Sequence, residues 1–332
     1  MNSGANLDRD LVSREADAVR VGDRLAMAKT ITLLESKRPE KAELGRAILE
    51  ELVPNTGGSM RIGVTGAPGV GKSTFIESLG IYLLERGHQV AVLAIDPSSP
   101  VTGGSILGDK TRMERLAQQE KAFIRPSPSG GSLGGVAERT REGMLLCEAA
   151  GYDVVIIETV GIGQSEVAVR SMVDFFLVLL QPGAGDELQG IKKGVLELAD
   201  SLIVNKADGE QLQAAERAAA DHRQALGLLN ARSSSWTPRV LTVSSLEGTG
   251  IELVWQAVLE HMTSQEASGE REGRRREQAR AWMWSLVEAR LQERFRAHPK
   301  VAAQIESLER EVQSLKITPA AAAKALLEAF RS

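Results

Sequence analysis

Glycines, a lysine and a serine occur at the spacing that phosphate binding requires in the run Gly66-Ala67-Pro68-Gly69-Val70-Gly71-Lys72-Ser73. Glycine lets the backbone curl so that several N–H groups point at phosphate oxygens, and a following helix adds the partial positive charge of its N-terminus. Lys72 can reach the outer phosphates, and the Ser73 hydroxyl can ligate Mg²⁺. An ordinary glycine-rich turn is the alternative, but an apolar run precedes this segment and a helical pattern follows it. The sequence therefore predicts a phosphate-binding loop with nucleotide contacts at Gly66, Pro68, Gly69, Val70, Gly71, Lys72, Ser73 and Thr74.

Carboxylates that follow other apolar runs are predicted to complete a metal site beside this loop. One run ends in Glu158, the acid of an E-x-x-G pattern whose Gly161 can bring its N–H to a γ-phosphate. Another run ends just before Asp96, which is predicted to act as a metal ligand or as the base for water. Asp109 lies in a glycine-rich loop and is either a further metal-site acid or the N-cap of the next helix. The predicted Mg²⁺ residues are Ser73, Asp96, Asp109 and Glu158.

A base-reading motif, N-K-x-D, follows a later apolar run as Asn205, Lys206 and Asp208. An aspartate carboxylate can accept hydrogen bonds from both N1 and N2 of guanine, whereas adenine has no N2 donor. Asn205 is expected to support the loop, and the stem of Lys206 is expected to cover the ring. The segment Ser244-Ser245-Leu246 can supply a backbone contact to the guanine carbonyl oxygen. Together with the phosphate loop, these residues favour GTP over ATP.

The elements that must position these residues alternate between short apolar runs and helical patterns from about Arg61 to His261. The runs are 62–64, 90–95, 122–124, 154–157, 175–180, 202–204 and 240–243. This alternation predicts an α/β fold, a P-loop NTPase with a mostly parallel seven-stranded sheet covered by helices on both faces. The site motifs then fall at the carboxyl ends of the strands. We expect a helical N-terminal extension over 1–58, a nucleotide-binding domain over 59–263 and a helical C-terminal segment over 264–332.

The composition of the chain limits the classes of partner and the cellular compartment that we expect for this protein. The chain has 332 residues and a net charge of −4, so no basic excess points to nucleic acid. The basic cluster in 270–277 is interleaved with glutamates, which predicts a solvated helix face. Cys147 is the only cysteine, so no intramolecular disulfide can form, and a buried apolar role is favoured over a catalytic thiol. No run approaches the roughly 20 apolar residues of a membrane span. We expect a cytoplasmic protein that binds neither membrane nor nucleic acid.

Longer stretches give the chain a resemblance to a known family. They include the phosphate loop extended to Thr74, the segments Asp96-Pro97-Ser98-Ser99 and 103–113, the segment 158–166, and 182–194. The chain resembles the bacterial and mitochondrial GTPases that act as chaperones of methylmalonyl-CoA mutase. The resemblance covers essentially the whole chain, with its ends the least distinctive.

The resemblance implies a homodimer, joined by the C-terminal helical arm, that binds an adenosylcobalamin-dependent acyl-CoA mutase. It implies that binding and hydrolysis of GTP, with Mg²⁺, gate loading of the mutase with its cofactor and protect or reactivate the mutase. Adenosylcobalamin would belong to the partner. It also implies that the loop 183–193 senses the partner through Gln189 and Lys192. The catalytic group is then Lys72, Asp96, Glu158, Gln189 and Lys192.

The residue after Gly161 is Ile162, where Ras-like enzymes place a water-positioning glutamine. Hydrolysis is therefore expected to be slow without a partner. Two alternatives remain open. A nickel metallochaperone GTPase would call for a histidine-rich or cysteine-rich tract, and the chain has four histidines and one cysteine. A kinase acting on a small substrate or a transport protein would favour ATP and need a second pocket.

Overall fold

A computed structural model describes residues 8–95, 113–126, 133–159, 165–183, 193–229 and 236–331. The chain divides into two compact units, Met1–Arg276 and Glu277–Ser332. The helices are α1 Arg9–Arg20, α2 Arg24–Leu34, α3 Pro39–Leu52, α4 Lys72–Glu85, α5 Glu114–Ala117, α6 Leu133–Ala149, α7 Ser165–Arg170, α8 Lys193–Leu196, α9 Leu212–Leu229, α10 Ile251–Ala267, α11 Glu270–Ala297, α12 Pro299–Gln313 and α13 Pro319–Arg331. None of the helices in the described ranges is both long and apolar enough to cross a membrane.

The first unit is built on a seven-stranded sheet of order β3-β2-β4-β1-β5-β6-β7, and every neighbouring pair of strands is parallel. The strands are β1 Met60–Gly66, β2 Val90–Ile95, β3 Ala122–Pro126, β4 Val154–Thr159, β5 Phe175–Leu180, β6 Ser201–Val204 and β7 Arg239–Thr242. The predicted α/β fold with its mostly parallel seven-stranded sheet is confirmed. Because all strands run in the same direction, the residues that follow β1, β4 and β6 lie at the same edge of the sheet, where the strands have their carboxyl ends.

The core lies on both faces of the sheet, which is why the central strands are apolar throughout rather than alternating. In β4, Val155 and Ile157 pack with α1, α2, α3 and α6 in one buried cluster. Val154 and Ile156 point to the other face and pack with α4 and α10. All six residues of β4 are buried, including Glu158 at its carboxyl end.

The N-terminal helices α1 to α3 form part of this first unit because their apolar sides pack against one another and against α6. Met27, Ile48 and Leu52 are fully buried there. The start of α2 is fixed by Asp23, whose carboxylate accepts hydrogen bonds from the backbone N–H groups of Leu25 and Ala26 at 2.8 and 3.1 Å. This side-chain cap satisfies donors that the first turn of a helix otherwise leaves unpaired.

An arginine clasp fastens the first turns of α11 to the amino end of the sheet; it comprises Asp174, Arg271, Arg274 and Arg275. Arg275 donates to both carboxylate oxygens of Asp174 at 2.8 and 2.6 Å, and it also donates to the carbonyl of Ser59 at 2.7 Å. Burial raises the pKa of Asp174, but the hydrogen bonds and charge of Arg275 outweigh it, so the pKa lies below its ordinary value.

The clasp corrects the prediction of a solvated face over 270–277. Arg274 donates to the backbone carbonyl of Asp174 at 2.9 Å, and Arg271 donates to the carbonyl of Ser59 at 3.0 Å. The charged side chains of the cluster that are exposed are Glu272, Arg276 and Glu277. The prediction was wrong for the inward residues because their partner, Asp174, lies about a hundred residues earlier and no local pattern reveals it.

A buried histidine lies near this end of the sheet. His261, on α10, packs edge-on against the rings of Phe175 and Trp236, with centroids 4.9 and 5.0 Å away. Burial, followed by the positive charges of Arg274 and Arg170, lowers its pKa from 6.5 to about 3. The side chain is therefore neutral at physiological pH.

The second unit contains the remainder of α11, with α12 and α13, and α12 packs against α13. The ring of Phe330 lies 5.2 Å from those of both Phe295 and His298. No residue of α11 is buried, and it exposes large apolar side chains at Met283, Trp284, Val287 and Leu291.

Candidate functional site

The phosphate loop joins β1 to α4, and its glycines occupy conformations that other residues would strain. Gly71 is the N-cap of α4 with φ +94°, and a Cβ there would lie 2.7 Å from Nδ2 of Asn205. Gly66 has φ +153°, and a Cβ there would lie 2.6 Å from the carbonyl oxygen of Leu179. The backbone can therefore follow this path only because both positions are glycine.

Lys72 is the first residue of α4 and its side chain turns back along the loop. Its Nζ donates to the carbonyl oxygens of Gly66 and Ala67 at 2.8 and 3.1 Å, and the residue is only 8% exposed. The ammonium group is thus held at the mouth of the loop, where a phosphate oxygen could replace a carbonyl as its partner. Pro68, Gly69 and Thr74 are exposed, whereas Val70 is buried.

The hydroxyl of Ser73 and the carboxylate of Glu158 meet beside the loop. Ser73 Oγ donates to Glu158 Oε1 at 3.5 Å, and Glu158 is buried at the end of the neighbouring strand β4. Oxygen ligands of this kind suit Mg²⁺, which is commonly held by one or two protein groups while keeping several waters. Within the described ranges no three His, Cys, Asp or Glu side chains cluster as a metal site. The other predicted metal residues, Asp96 and Asp109, lie outside the described residues.

Asn205 connects the phosphate loop to the loop that follows β7. Its Nδ2 donates to the carbonyl oxygen of Val70 at 2.9 Å. Its Oδ1 accepts from the backbone N–H and the hydroxyl of Ser245 at 3.2 and 2.6 Å. The side chain is almost fully buried, so these hydrogen bonds are shielded from water. One amide thereby fixes two loops that a bound nucleotide would contact at opposite ends.

The other residues predicted to read the base lie next to Asn205. Lys206 has φ +59°, unusual for a residue with a side chain, and its Nζ lies 3.4 Å from Oε1 of Gln181. Asp208 is half-buried, and its Oδ2 accepts from the hydroxyl of Ser244 at 2.5 Å. That hydroxyl in turn accepts from the N–H of Glu247 at 3.1 Å. Asp208 is therefore oriented through Oδ2, and among the described residues no donor contacts its Oδ1, which can accept hydrogen bonds from a ligand.

The structure thus brings together the phosphate loop, Ser73 with Glu158, and Asn205, Asp208, Ser244 and Ser245. Leu246 is 82% exposed, so a contact from that residue would have to come through its backbone. The predicted residues Gly161, Gln189 and Lys192 lie outside the described residues, as does Ile162.

Two supporting residues have no signal in the sequence motifs. Ser78, on α4, donates from its hydroxyl to the backbone carbonyl of Ser245 at 2.5 Å. Gln181, just past β5, is the partner of Lys206. Ser78 is one of several polar residues in α4, and no local pattern links it to Ser245, which lies 167 positions away.

The parallel sheet, the glycine loop at a helix N-terminus and the N-K-x-D loop beside it define a P-loop nucleotide-binding protein of the guanine-reading type. Comparison with known proteins narrows the class. The family model described as "Methylmalonyl Co-A mutase-associated GTPase MeaB" matches residues 27–300, and the chain belongs to this family.

Relatives agree with this assignment. A "Putative GTPase" of Caulobacter vibrioides is 57% identical over 309 residues, covering 93% of this chain and 94% of that protein. A mouse protein named "Methylmalonic aciduria type A homolog, mitochondrial" is 46% identical over 321 residues, covering 94% of this chain and 77% of that protein. The solved structure of a protein described as "LAO/AO transport system kinase" superposes with a TM-score of 0.78 at 37% identity, covering 98% of this chain and 99% of that one.

Proposed function

We propose that this protein is a GTP-hydrolysing chaperone of an adenosylcobalamin-dependent acyl-CoA mutase, with methylmalonyl-CoA mutase as the first expectation. Hydrolysis would gate loading of the mutase with its cofactor and would protect or reactivate the mutase. Membership of the mutase-associated GTPase family supports the proposal. The observation that carries the nucleotide-binding part of the proposal is the side-chain amide of Asn205, which joins the phosphate loop to the loop that holds Asp208. A cytoplasmic location is part of the proposal and fits the single, buried cysteine.

Guanine would be read by Asp208. Its Oδ2 is held by Ser244, which leaves the carboxylate fixed before the ligand arrives. A preorganised acceptor loses little entropy on binding, so it discriminates strongly between a base with an N2 donor and one without it. Lys206, whose Nζ contacts Gln181, would cover the ring plane with its aliphatic stem.

Phosphates would be bound by the N–H groups of the loop and by Lys72. Ser73 and Glu158 are the described residues that would hold Mg²⁺, one directly and one directly or through water. The ion would neutralise charge on the outer phosphates. We propose that Asp96 and Asp109 complete the metal site and that the N–H of Gly161 contacts the γ-phosphate.

Slow intrinsic turnover and stimulation by the mutase also belong to the proposal. Ile162 follows Gly161, so the side chain at that position cannot orient water. We propose that the loop 183–193 senses the mutase, with Gln189 and Lys192 as the residues that respond to it. A homodimer is proposed as well, and the exposed apolar side chains of α11, such as Met283 and Trp284, support it.

The test compares GTP hydrolysis by the protein alone and with purified methylmalonyl-CoA mutase. We expect a low basal rate that rises on addition of the mutase. Lys192→Ala should keep the basal rate and lose most of the stimulation. Lys121→Ala, at an exposed lysine before β3, should keep both and is the matched control. Wild-type stimulation of Lys192→Ala would remove the loop from the mechanism, and no stimulation of the wild type would refute the choice of partner.

A kinase remains the second candidate because a solved structure with a TM-score of 0.78 carries that description. Competition between GTP and ATP for the free protein separates the two. Equal affinity, or transfer of phosphate to a small molecule, would favour the kinase. Strong preference for GTP with release of inorganic phosphate would favour the chaperone.

A further inference from the structure

A hydrogen bond between two buried threonines joins the ends of β1 and β4. The hydroxyl of Thr159 donates to the hydroxyl of Thr65 at 2.6 Å. The two residues are 0% and 1% exposed, respectively. Neither belongs to the phosphate, metal or base-reading groups described above.

Both threonines are adjacent in sequence to residues of the candidate site. Thr65 directly precedes Gly66, whose carbonyl accepts from Lys72. Thr159 directly follows Glu158, whose carboxylate accepts from Ser73. The paired register of β1 and β4 ends at Val64 with Glu158, so the hydroxyl bond lies one step beyond the last backbone pair.

Physical chemistry gives no stability reason for hydroxyls at these positions. Valine has nearly the same shape, and a buried hydroxyl costs free energy unless it is hydrogen-bonded. Buried neighbours on the same strands, Val64 and Ile157, are aliphatic. A hydrogen bond differs from aliphatic packing because it is directional and restricts both distance and χ1. The threonine pair therefore sets the separation of the two strand ends more narrowly than valines would.

We propose that Thr65 and Thr159 are positioning residues for GTP hydrolysis, acting through Glu158 and the phosphate loop. Their hydrogen bond fixes the carboxyl end of β4 against the carboxyl end of β1, which holds the Glu158 carboxylate at its place beside Ser73. The inference rests on the proposed GTPase activity. It assigns a role to residues that contact neither the nucleotide nor the metal.

The test is a double-substitution cycle with valine, which keeps the shape and removes the hydroxyl. Thr65→Val and Thr159→Val should each lower kcat about tenfold, and the double variant should also lose about tenfold rather than about a hundredfold. KM for GTP should change by less than about threefold, because the nucleotide-contacting groups remain. The Mg²⁺ concentration that half-maximally tightens GDP binding should rise in the same variants, since Glu158 is less well placed.

Conservative and matched controls separate positioning from folding. Thr65→Ser and Thr159→Ser keep the hydroxyl and should retain kcat within about twofold. Thr30→Val, at a fully buried threonine on α2, should leave kcat and the Mg²⁺ requirement unchanged. The double variant has neither hydroxyl, so no buried hydroxyl is left unpaired and it should fold even where a single variant does not. In that case, the kcat of the double variant is the measurement that tests the proposal.

Each remaining outcome has a distinct meaning. If the wild type hydrolyses GTP and the valine variants match it, the positioning role is refuted while the GTPase survives. The positioning role would also be refuted if the kcat of the double variant fell by the product of the two single losses. It would be refuted as well if the serine variants had a kcat as low as that of the valine variants. If the wild type neither binds nor hydrolyses GTP, the proposed function fails, and this inference fails with it.

Discussion

Removing the side-chain amide of Asn205 is the most informative perturbation that the structure offers. Asn205→Ala deletes the hydrogen bond to Val70 and both hydrogen bonds from Ser245. At about 1 kcal/mol for each buried hydrogen bond, the set contributes about 3 kcal/mol. This free energy divides between the stability of the unliganded protein and the affinity for nucleotide. We expect at least about 1.4 kcal/mol to appear in binding, a weakening of GDP affinity by about tenfold or more.

The assay is equilibrium titration with a fluorescent GDP analogue, followed by competition with unlabelled GTP and ATP. Asn205→Asp keeps the oxygen that accepts from Ser245 but puts a second oxygen against the carbonyl of Val70. It should therefore lose the link to the phosphate loop while keeping the link to Ser245. Asn55→Ala, at an exposed asparagine that accepts from Arg20, is the matched control and should bind like the wild type. GDP affinity of Asn205→Ala within about threefold of the wild type would refute the view that this amide couples the loops.

Three further changes test separate parts of the molecule. Lys72→Ala should weaken GTP binding by about tenfold or more because a charge-assisted contact is lost, and wild-type hydrolysis would contradict the phosphate role. Asp208→Asn should lower the ratio of GTP to xanthosine triphosphate affinity, and an unchanged ratio in competition binding would exclude base reading. His261→Phe should flatten the pH dependence of the unfolding midpoint. The pKa of His261 falls from 6.5 to about 3 on folding, so unfolding takes up a proton below pH 6.5 and stability falls as the pH drops. That loss approaches about 1.4 kcal/mol per pH unit, and parallel wild-type and variant curves between pH 7 and 5 would contradict it.

The strands could be predicted from the sequence because each is short, buried on both faces and therefore continuously apolar. The predicted run 90–95 coincides with β2, and the run 175–180 coincides with β5. The run 154–157 stops short of Glu158 and Thr159, which belong to β4 although both are polar. The order β3-β2-β4-β1-β5-β6-β7 could not be predicted, because it depends on contacts between segments far apart in sequence.

Within the candidate site, the sequence identifies motifs but not the contacts between them. A glycine loop or N-K-x-D is local, so its residue types and spacing are visible in one window. The bonds from Ser78 to Ser245 and from Thr159 to Thr65 join positions 167 and 94 residues apart. The serine and threonine in such pairs look like ordinary polar residues. The inward contacts of Arg271, Arg274 and Arg275 could not be predicted for the same reason, because their partners lie about a hundred or more residues away.

The arginine clasp decides where this chain can be shortened. A protein ending at residue 263 would lack Arg271, Arg274 and Arg275, so the buried carboxylate of Asp174 would lose its ion-pair partner Arg275 and keep only the backbone N–H and the charge of Arg61. Removing one partner of a buried ion pair costs about 3–5 kcal/mol, a large share of the stability of a typical domain. Ending the chain after Arg276 instead would spare that penalty and still remove α12 and α13. A shortened GTPase should therefore retain the first turns of α11, up to Arg276.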